Sequence, residues 1–134
     1  MTRWSVRYYR DSRGRKPVAE FFELPSTNGI TKAERAKFLS RLEAVQDHGL
    51  ALQARQSDVL ESIKGHENLY SIRLKGTTNN PRVLACALAE LRCIVLLHAF
   101  KENDKSAYRR ALPFAAKRRD HVVEDPGRWV ANDD

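Results

Sequence analysis

The chain has few of the residues that would indicate a metal centre, a disulfide framework or a membrane anchor. Its 134 residues include two cysteines, Cys86 and Cys93, and four scattered histidines. The cysteines lie in apolar runs and no histidines fall at zinc-site spacing, so we expect buried thiols in a reducing compartment and no metal or other cofactor. No apolar run approaches the ~20 residues of a membrane span, and the N-terminus lacks the apolar core of a signal peptide. These absences predict a soluble, cytoplasmic protein.

Acidic residues are also few relative to basic ones. The chain carries 24 Lys and Arg against 17 Asp and Glu, a formal net charge of +7. The stretch 105–119 contains no acid at all. Because guanidinium groups bind phosphate in a bidentate geometry that ammonium groups do not offer, this balance favours an anionic partner. Net charge also serves solubility, so it does not by itself identify nucleic acid.

The order of predicted elements indicates one α+β domain with a largely antiparallel sheet. Pro17 suits the first position of a short helix, and the T-x-x-E pair of Thr31 and Glu34 predicts a capping box for a longer helix that closes at 48–50. Alternating or apolar runs predict five strands, at about 4–9, 59–64, 69–75, 82–89 and 92–100. The last run, CIVLLHAF, is nearly all apolar, so we expect a central strand covered on both faces.

The C-terminal region predicts one more helix and a tail. Pro113 lies within the helical pattern of SAYRRALPFAAKRRDHV, and a proline inside a helix costs about 3 kcal/mol. We therefore expect the helix to start close to Pro113. The globular domain is placed at 1–122 and the tail at 123–134, with Trp129 as the one anchor of the tail.

The segment LYSIRLKG raises the question of a binding surface. In a strand, Tyr70, Ile72 and Leu74 would face a core, whereas Ser71, Arg73 and Lys75 would face outward together. Such a face is either an ordinary solvated surface or a positive stripe for an anionic ligand. The pattern alone leaves both interpretations open.

Four segments follow one another along the chain: LYSIRLKG, PRVLACAL, IVLLHAFKEN and FAAKR. In this order they resemble the RelE/HigB superfamily of toxins from bacterial and phage toxin–antitoxin modules, in particular its HigB-like, phage-related branch. The resemblance extends from about Trp4 to Arg119. It implies a RelE-like α+β fold, with two N-terminal helices, a largely antiparallel sheet and one C-terminal helix.

The resemblance also implies a function and a set of residues. Members of the superfamily are endoribonucleases, many of which cut mRNA in the ribosomal A site and are neutralised by a cognate antitoxin. The expected partners are therefore antitoxin, mRNA and ribosome, with no membrane. The catalytic positions fall on Arg73, Arg82, Tyr108 (ahead of the last helix) and Lys101. The expected RNA-binding residues are Lys75, Lys105, Arg109, Arg110, Lys117, Arg118 and Arg119.

These residue types suit cleavage by the 2′-hydroxyl of RNA without a metal. Two arginines would stabilise the charge that develops on the phosphorane. A basic pocket would lower the pKa of Tyr108 or Lys101 and allow either to transfer protons.

The sequence departs from the family where Ser71 replaces Glu or Lys, and where Glu102 and Asn103 replace two cations. Glu102 is then either a salt-bridged carboxylate or a catalytic base. The alternative functions are a non-catalytic basic binding module, which regulates through DNA, ribosome or a host protein, and a ribonuclease that needs no ribosome.

Overall fold

A single five-stranded sheet, in the order β1-β5-β4-β3-β2, organises the computed structural model, which describes residues 3–131. The strands are β1 (Ser5–Tyr8), β2 (Leu60–Ser62), β3 (Tyr70–Arg73), β4 (Pro81–Leu88) and β5 (Cys93–Lys101). The helices are α1 (Pro17–Phe21), α2 (Lys32–His48), α3 (Leu52–Arg55), α4 (Lys105–Glu124) and α5 (Pro126–Trp129). Only β1 and β5 pair in parallel; the other pairs are antiparallel, which confirms the predicted class.

Strand β5 is central and covered on both faces, as its apolar sequence predicts. Ile94 and Leu96 pack into a core cluster with residues of α1 and α2, whereas Val95 and Leu97 pack into a second cluster with residues of α4. The chain between β5 and α4 therefore emerges at one end of the sheet, directly beside the start of β4. This arrangement brings residues 101–108 close to Arg82.

Helix α2 begins with the predicted capping box. The Thr31 backbone N–H donates to Glu34 Oε1 at 2.9 Å, and the Glu34 backbone N–H donates to Thr31 Oγ1 at 3.0 Å. The helix ends at His48, as predicted, and Gly49 follows with φ of 56°. A Cβ atom at Gly49 would collide with the indole of Trp4, so a glycine is required. The short helix α3 beyond it was not predicted.

Helix α4 begins eight residues earlier than Pro113, so the predicted late start is wrong. Asp104 Oδ1 caps the helix by accepting the backbone N–H groups of Ser106 and Ala107, at 2.9 and 2.8 Å. The buried stripe of the helix lies on both sides of the proline and comprises Ala107, Ala111, Ala115 and Val122. Burial of that whole stripe against the sheet, together with the cap, outweighs the cost of one proline on the exposed side of the helix.

The segment after α4 packs on the sheet. Val130 forms a bridge with Tyr9, and the Trp129 ring stacks on His121 at 4.4 Å between centroids. Trp129 is thus the anchor that the sequence predicts. The predicted boundary at 122/123 falls inside the last turn of α4, and residues 132–134 of the predicted tail lie outside the described residues. Within residues 3–131, no helix is long and apolar enough to cross a membrane.

Candidate active site

Two arginines face each other across neighbouring strands. Arg73, the last residue of β3, lies directly opposite Arg82 of β4 in the sheet register. Like charges directly opposite each other destabilise a sheet, so this pair requires counter-charges. The geometry brings together the two arginines that the family resemblance assigns to the scissile phosphate.

Glu102 supplies the main counter-charge. Its Oε1 accepts from Arg73 Nη2 at 3.1 Å, and its Oε2 accepts from Arg82 Nη1 at 2.8 Å. Glu61 of β2 adds a longer ion pair to Arg82, at 3.6 Å. The formal charges of these four side chains cancel. Of the two interpretations of Glu102 from sequence, the structure shows the salt-bridged carboxylate.

Arg82 is only 6% exposed, and Ser71 is buried beneath it. Arg82 Nε donates to Ser71 Oγ at 2.7 Å. The expectation that Ser71 faces solvent is therefore wrong, because α4 covers this face of the sheet. Lys75 lies beyond the end of β3 and is exposed, so it does not continue a stripe with Arg73.

Tyr108 of α4 packs on the cluster from the helix side of the sheet. It belongs to the first turns of α4, not to the segment ahead of the last helix, because the helix begins at Lys105. The Arg82 Cζ atom lies 3.9 Å from the centroid of the Tyr108 ring, which is a cation–π contact. The phenol therefore lies against the most buried cation of the cluster.

The expected lowering of the Tyr108 pKa does not occur. Burial raises the pKa of Tyr108, and Glu61 and Glu102 act in the same direction, whereas Arg82 and Arg73 oppose the rise. At neutral pH the hydroxyl therefore keeps its proton. While Glu102 is bound to the arginines, the Tyr108 hydroxyl can therefore donate a proton but cannot act as a base.

Lys101 is separated from the other three predicted catalytic residues. It is the last residue of β5 and lies opposite Pro81 of β4. Its neighbour Phe100 lies opposite Arg82 and packs with the α4 cluster. Because successive side chains of a strand point to opposite faces, Lys101 projects away from Arg82 and Tyr108.

The predicted RNA-binding cations of α4 do not form one strip. Lys105 and Arg109 are exposed toward the Tyr108 side of the helix, whereas Arg110 and Lys117 are exposed on the opposite side. The two remaining arginines are half-buried and hold the helix to the rest of the fold. Arg118 Nη1 donates to Leu97 O at 2.8 Å, and Arg119 Nη1 donates to Glu67 O at 2.6 Å.

Sequence reasoning missed Glu61, whose role depends on strand register that the sequence does not display. Glu61 lies opposite Ser71 in the β2–β3 pair, which places its carboxylate near Arg82. No group of three or more His, Cys, Asp or Glu side chains in residues 3–131 is arranged to hold a metal ion. The side chains of the cluster itself offer the chemistry of arginine, tyrosine and carboxylate.

The fold is similar to that of a solved RelE toxin. A mutant of E. coli RelE with two arginines changed to alanine, in the free state, superposes with a TM-score of 0.51 at 14% identity, over 84% of this chain and 97% of that chain. The isolated E. coli RelE toxin in its P21 crystal form gives a TM-score of 0.48 at 14% identity, over 82% of this chain and 96% of that chain. The first match confirms the RelE-like fold expected from the sequence motifs; at this identity it shows the fold alone.

Among curated proteins, none matches the chain. A family model does match: "Phage derived protein Gp49-like (DUF891)", over residues 20–120. This match covers well over half of the 134 residues and spans every strand except β1, as well as Arg73, Arg82, Glu102 and Tyr108. The chain belongs to the phage-derived Gp49-like family.

Proposed function

We propose that this protein is the toxin of a toxin–antitoxin pair, a metal-independent endoribonuclease that cuts mRNA on the ribosome and so inhibits translation. A cognate antitoxin would neutralise it. The RelE-like fold and the Gp49-like family support the proposal. The observation that carries it is the cluster in which Tyr108 stacks on Arg82 while Arg82 and Arg73 both donate to the Glu102 carboxylate.

The cluster suits transesterification by RNA itself. The 2′-oxygen attacks the adjacent phosphorus and the bond from phosphorus to the 5′-oxygen breaks, leaving a 2′,3′-cyclic phosphate and a 5′-hydroxyl. Arg73 and Arg82 would hold the phosphorane oxygens, a contribution of a few kcal/mol per donor. Tyr108, which is protonated at neutral pH, would donate its proton to the leaving 5′-oxygen.

Entry of a phosphate requires Glu102 to leave the arginines. A phosphodiester and a carboxylate both present two oxygens to guanidinium groups, so they compete for the same N–H donors. Once displaced, the Glu102 carboxylate would lie beside the arginines and could accept the proton of the 2′-hydroxyl. Lys101 is the second candidate, although it projects toward the opposite face of the sheet.

Dependence on the ribosome is supported by what surrounds the cluster. One face of the Tyr108 ring is covered by Arg82, which leaves little aromatic surface on this side of α4 to hold an unpaired base. The exposed cations Lys75, Lys105 and Arg109 bind a phosphate backbone without fixing one bond in line for attack. A ribosomal A site would position the message, and these cations would bind the ribosomal RNA around it.

A second function is favoured by the cancelled charge of the cluster. Glu102 and Glu61 neutralise Arg73 and Arg82, and a permanently neutral cluster would suit a non-catalytic module that binds DNA, ribosome or a host protein through its outer cations. This alternative predicts growth effects without RNA cleavage.

Induction in cells separates the two functions. Transcript 5′ ends are mapped after induction of the wild type and of Arg73→Ala, whose side chain is 30% exposed, so that its truncation leaves the fold intact. New 5′ ends and growth arrest with the wild type, and neither with Arg73→Ala at matched expression, support the nuclease. Growth arrest without new 5′ ends favours the binding module, and equal cleavage by both proteins removes Arg73 from the mechanism.

A further inference from the structure

An exposed aromatic stack lies on the side of α4 opposite to Tyr108. Phe114 is 58% exposed, and one face of its ring stacks on His98 with centroids 5.4 Å apart and planes 12° apart. His98 in turn lies 6.0 Å from Phe100. The other face of the Phe114 ring is open to solvent. Single exposed phenylalanines are common, so the surroundings decide whether this one is a site.

A β-bulge places His98 under Phe114. In the β4–β5 pairing Leu84 lies opposite His98 but Ala85 lies opposite Leu96, so Leu97 is the extra residue. The bulge lets both Leu97 and His98 reach α4. Burial, followed by the nearby Arg118, lowers the pKa of His98 to about 4, so the ring is neutral at physiological pH. Bulges often aim a side chain at a functional surface.

Three cations surround the exposed ring. Arg110, Lys117 and Arg118 lie four residues before, three after and four after Phe114, positions that are neighbours on a helix surface. Within residues 3–131, neither Lys117 nor Arg118 forms an ion pair, and Arg110 reaches only the exposed Asp104, at 3.8 Å. This aromatic ring therefore stands in a positive surface.

A cavity of about 360 Å³ adjoins Arg118 and is also lined by Ser12 and Arg13. Two carboxylates also line it; their hydrogen bonds and ion pairs go to groups other than Arg118, although Asp11 attracts Arg118 at longer range. Asp11 accepts the backbone N–H groups of Arg13 and Arg15, at 2.9 Å each, and Glu20 pairs with Arg15 at 2.6 Å. Arg13 and Arg118 remain as cations without an ion pair in the described part of the chain, which suits a phosphate group.

We propose that Phe114, His98 and Arg118, here named the Phe114 platform, bind one unpaired nucleotide of RNA. The base stacks on the open face of Phe114 and its phosphate lies at Arg118 in the adjoining cavity. The inference rests on the proposed action on RNA and adds a position that holds the strand, across α4 from the cluster that would cut it. Aromatic faces among cations are how proteins hold single-stranded bases without reading their sequence.

The size of the apolar surface favours a base over a protein partner. A stable protein interface buries about 800 Å² on each side around an apolar centre. Helix α4 exposes two large apolar side chains, Phe114 and Val123. Val123 lies on a different side of the helix, so the ring of Phe114 alone stands among the cations. One ring matches one base. An acidic protein segment is the competing occupant.

The test uses a short single-stranded RNA that carries 2-aminopurine and is 2′-O-methylated throughout, so that it cannot be cleaved by its own 2′-oxygens. Stacking of 2-aminopurine on an aromatic ring quenches its fluorescence. The proteins are the wild type, Phe114→Leu, Phe114→Trp and, as matched control, Val123→Ala. Leucine keeps an apolar side chain but removes the flat ring, whereas tryptophan keeps a ring.

We expect quenching with the wild type, Phe114→Trp and Val123→Ala, and loss of quenching with about 10-fold weaker binding for Phe114→Leu, the scale of one stacked base. Equal binding and quenching by wild type and Phe114→Leu would overturn the inference. So would absence of quenching by the wild type, or a Phe114→Leu variant that binds an acidic peptide more weakly but the RNA equally well. Quenching that depends on Phe114, in a protein that cleaves no RNA, would support nucleotide binding at the Phe114 platform and contradict the proposed nuclease activity.

Discussion

Arg82 and Arg118 lie on the two sides of α4, and each is held between the helix and the sheet. Arg82 has carboxylate partners at 2.8 and 3.6 Å, a serine hydroxyl and the ring of Tyr108. Arg118 has a backbone carbonyl, a histidine nitrogen at 3.4 Å and the ring of Tyr9, but no ion pair among residues 3–131. The first side is neutral and closed, and the second is positive and open.

This difference assigns different tasks to the two sides. On the Arg82 side an incoming phosphate must displace Glu102, so it meets arginines that are already oriented by carboxylates. On the Arg118 side the nearby carboxylate, Asp11, accepts backbone N–H groups and forms no ion pair with the arginine, so a phosphate can approach Arg118 without displacing one. We therefore propose that the RNA bond is broken on the Arg82 side of α4 and that the strand is held on the Arg118 side.

The largest expected effect is on stability, from Arg82→Ala. Truncation leaves Glu102 without its shorter ion pair and Ser71 without its donor, and breaking a buried pair in this way costs about 3 kcal/mol or more in unfolding free energy. Arg73→Ala should cost about 1 kcal/mol or less, because that side chain is more exposed. Urea denaturation of both variants measures the difference.

The double variant Arg82→Ala, Glu102→Ala tests whether the ion pair between these two side chains stabilises the cluster. It removes both charges together, so its loss of stability should be smaller than the sum of the two single losses. Additive losses would mean that the ion pair does not hold the cluster.

Glu34 supports the loop that carries Arg82, and it gives a pH dependence. Burial raises the pKa of Glu34, but hydrogen bonds from the Thr31 backbone and from Asn79 outweigh it and lower the pKa from 4.5 to about 2. Asn79 precedes Asn80, whose carbonyl accepts the Glu102 backbone N–H at 3.1 Å. A carboxylate in the first turn of α2 therefore fixes the strand connection at the candidate site.

Because the folded pKa is lower than the unfolded one, Glu34 stabilises the fold above pH 4.5, and this stability is lost as the pH falls from about 4.5 to about 2. The loss should be about 3 kcal/mol. Glu34→Gln should be less stable at pH 7 and show a flatter stability profile in that window. Identical profiles for the variant and the wild type would contradict the assignment. Thermal denaturation between pH 7 and pH 2 measures it.

Tyr108→Phe should lower the cleavage rate about 100-fold, the usual scale of general acid catalysis, while its stability stays close to that of the wild type. The ring and its contact with Arg82 remain, and only the proton donor is lost. Tyr70→Phe is the matched control, since Tyr70 is a half-buried tyrosine that packs on the α1 and α2 side of the sheet. A cleavage rate of Tyr108→Phe within a few-fold of the wild-type rate would mean that Tyr108 only packs against Arg82. Lys101 or Glu102 would then be the candidate for proton transfer.

The smallest expected effect is on salt dependence, from Glu102→Gln. Removing one negative charge gives the Arg73 and Arg82 pair a net positive charge. The slope of log affinity for single-stranded RNA against log salt should steepen by about one unit or less. Glu90→Gln, an exposed acid in the turn between β4 and β5, is the control and should not change the slope. An unchanged slope for Glu102→Gln would mean that phosphate does not reach this side of α4.

Features that depend on neighbouring residues in sequence could be predicted. The capping box needs only Thr31 and Glu34, and the burial of β5 on both faces follows from the lack of polar positions between Cys93 and Leu97. The pairing of Arg73 with Arg82 also follows once two strands joined by a short connection are recognised. The family resemblance brought Tyr108 to the same site.

Features that depend on distant packing could not be predicted. Pro113 argues locally for a late start of α4, but the buried stripe on both sides of it decides otherwise. Ser71 lies on a polar face in the sequence pattern and becomes buried because α4 covers it. The ion pairs of Glu102 depend on the geometry at the end of β5, and this geometry also turns Lys101 away from the cluster.

Cutting of mRNA on the ribosome is tested most directly by incubating purified protein at physiological salt with one mRNA, either free or loaded on ribosomes. We expect site-selective cutting of the ribosome-bound message, products with a 5′-hydroxyl, little cutting of the free RNA, and loss of the cleavage products with Tyr108→Phe. Efficient, site-selective cutting of the free RNA would instead show a free-standing ribonuclease. No cutting of either RNA by the wild type would contradict the assignment of nuclease chemistry to Arg73, Arg82 and Tyr108.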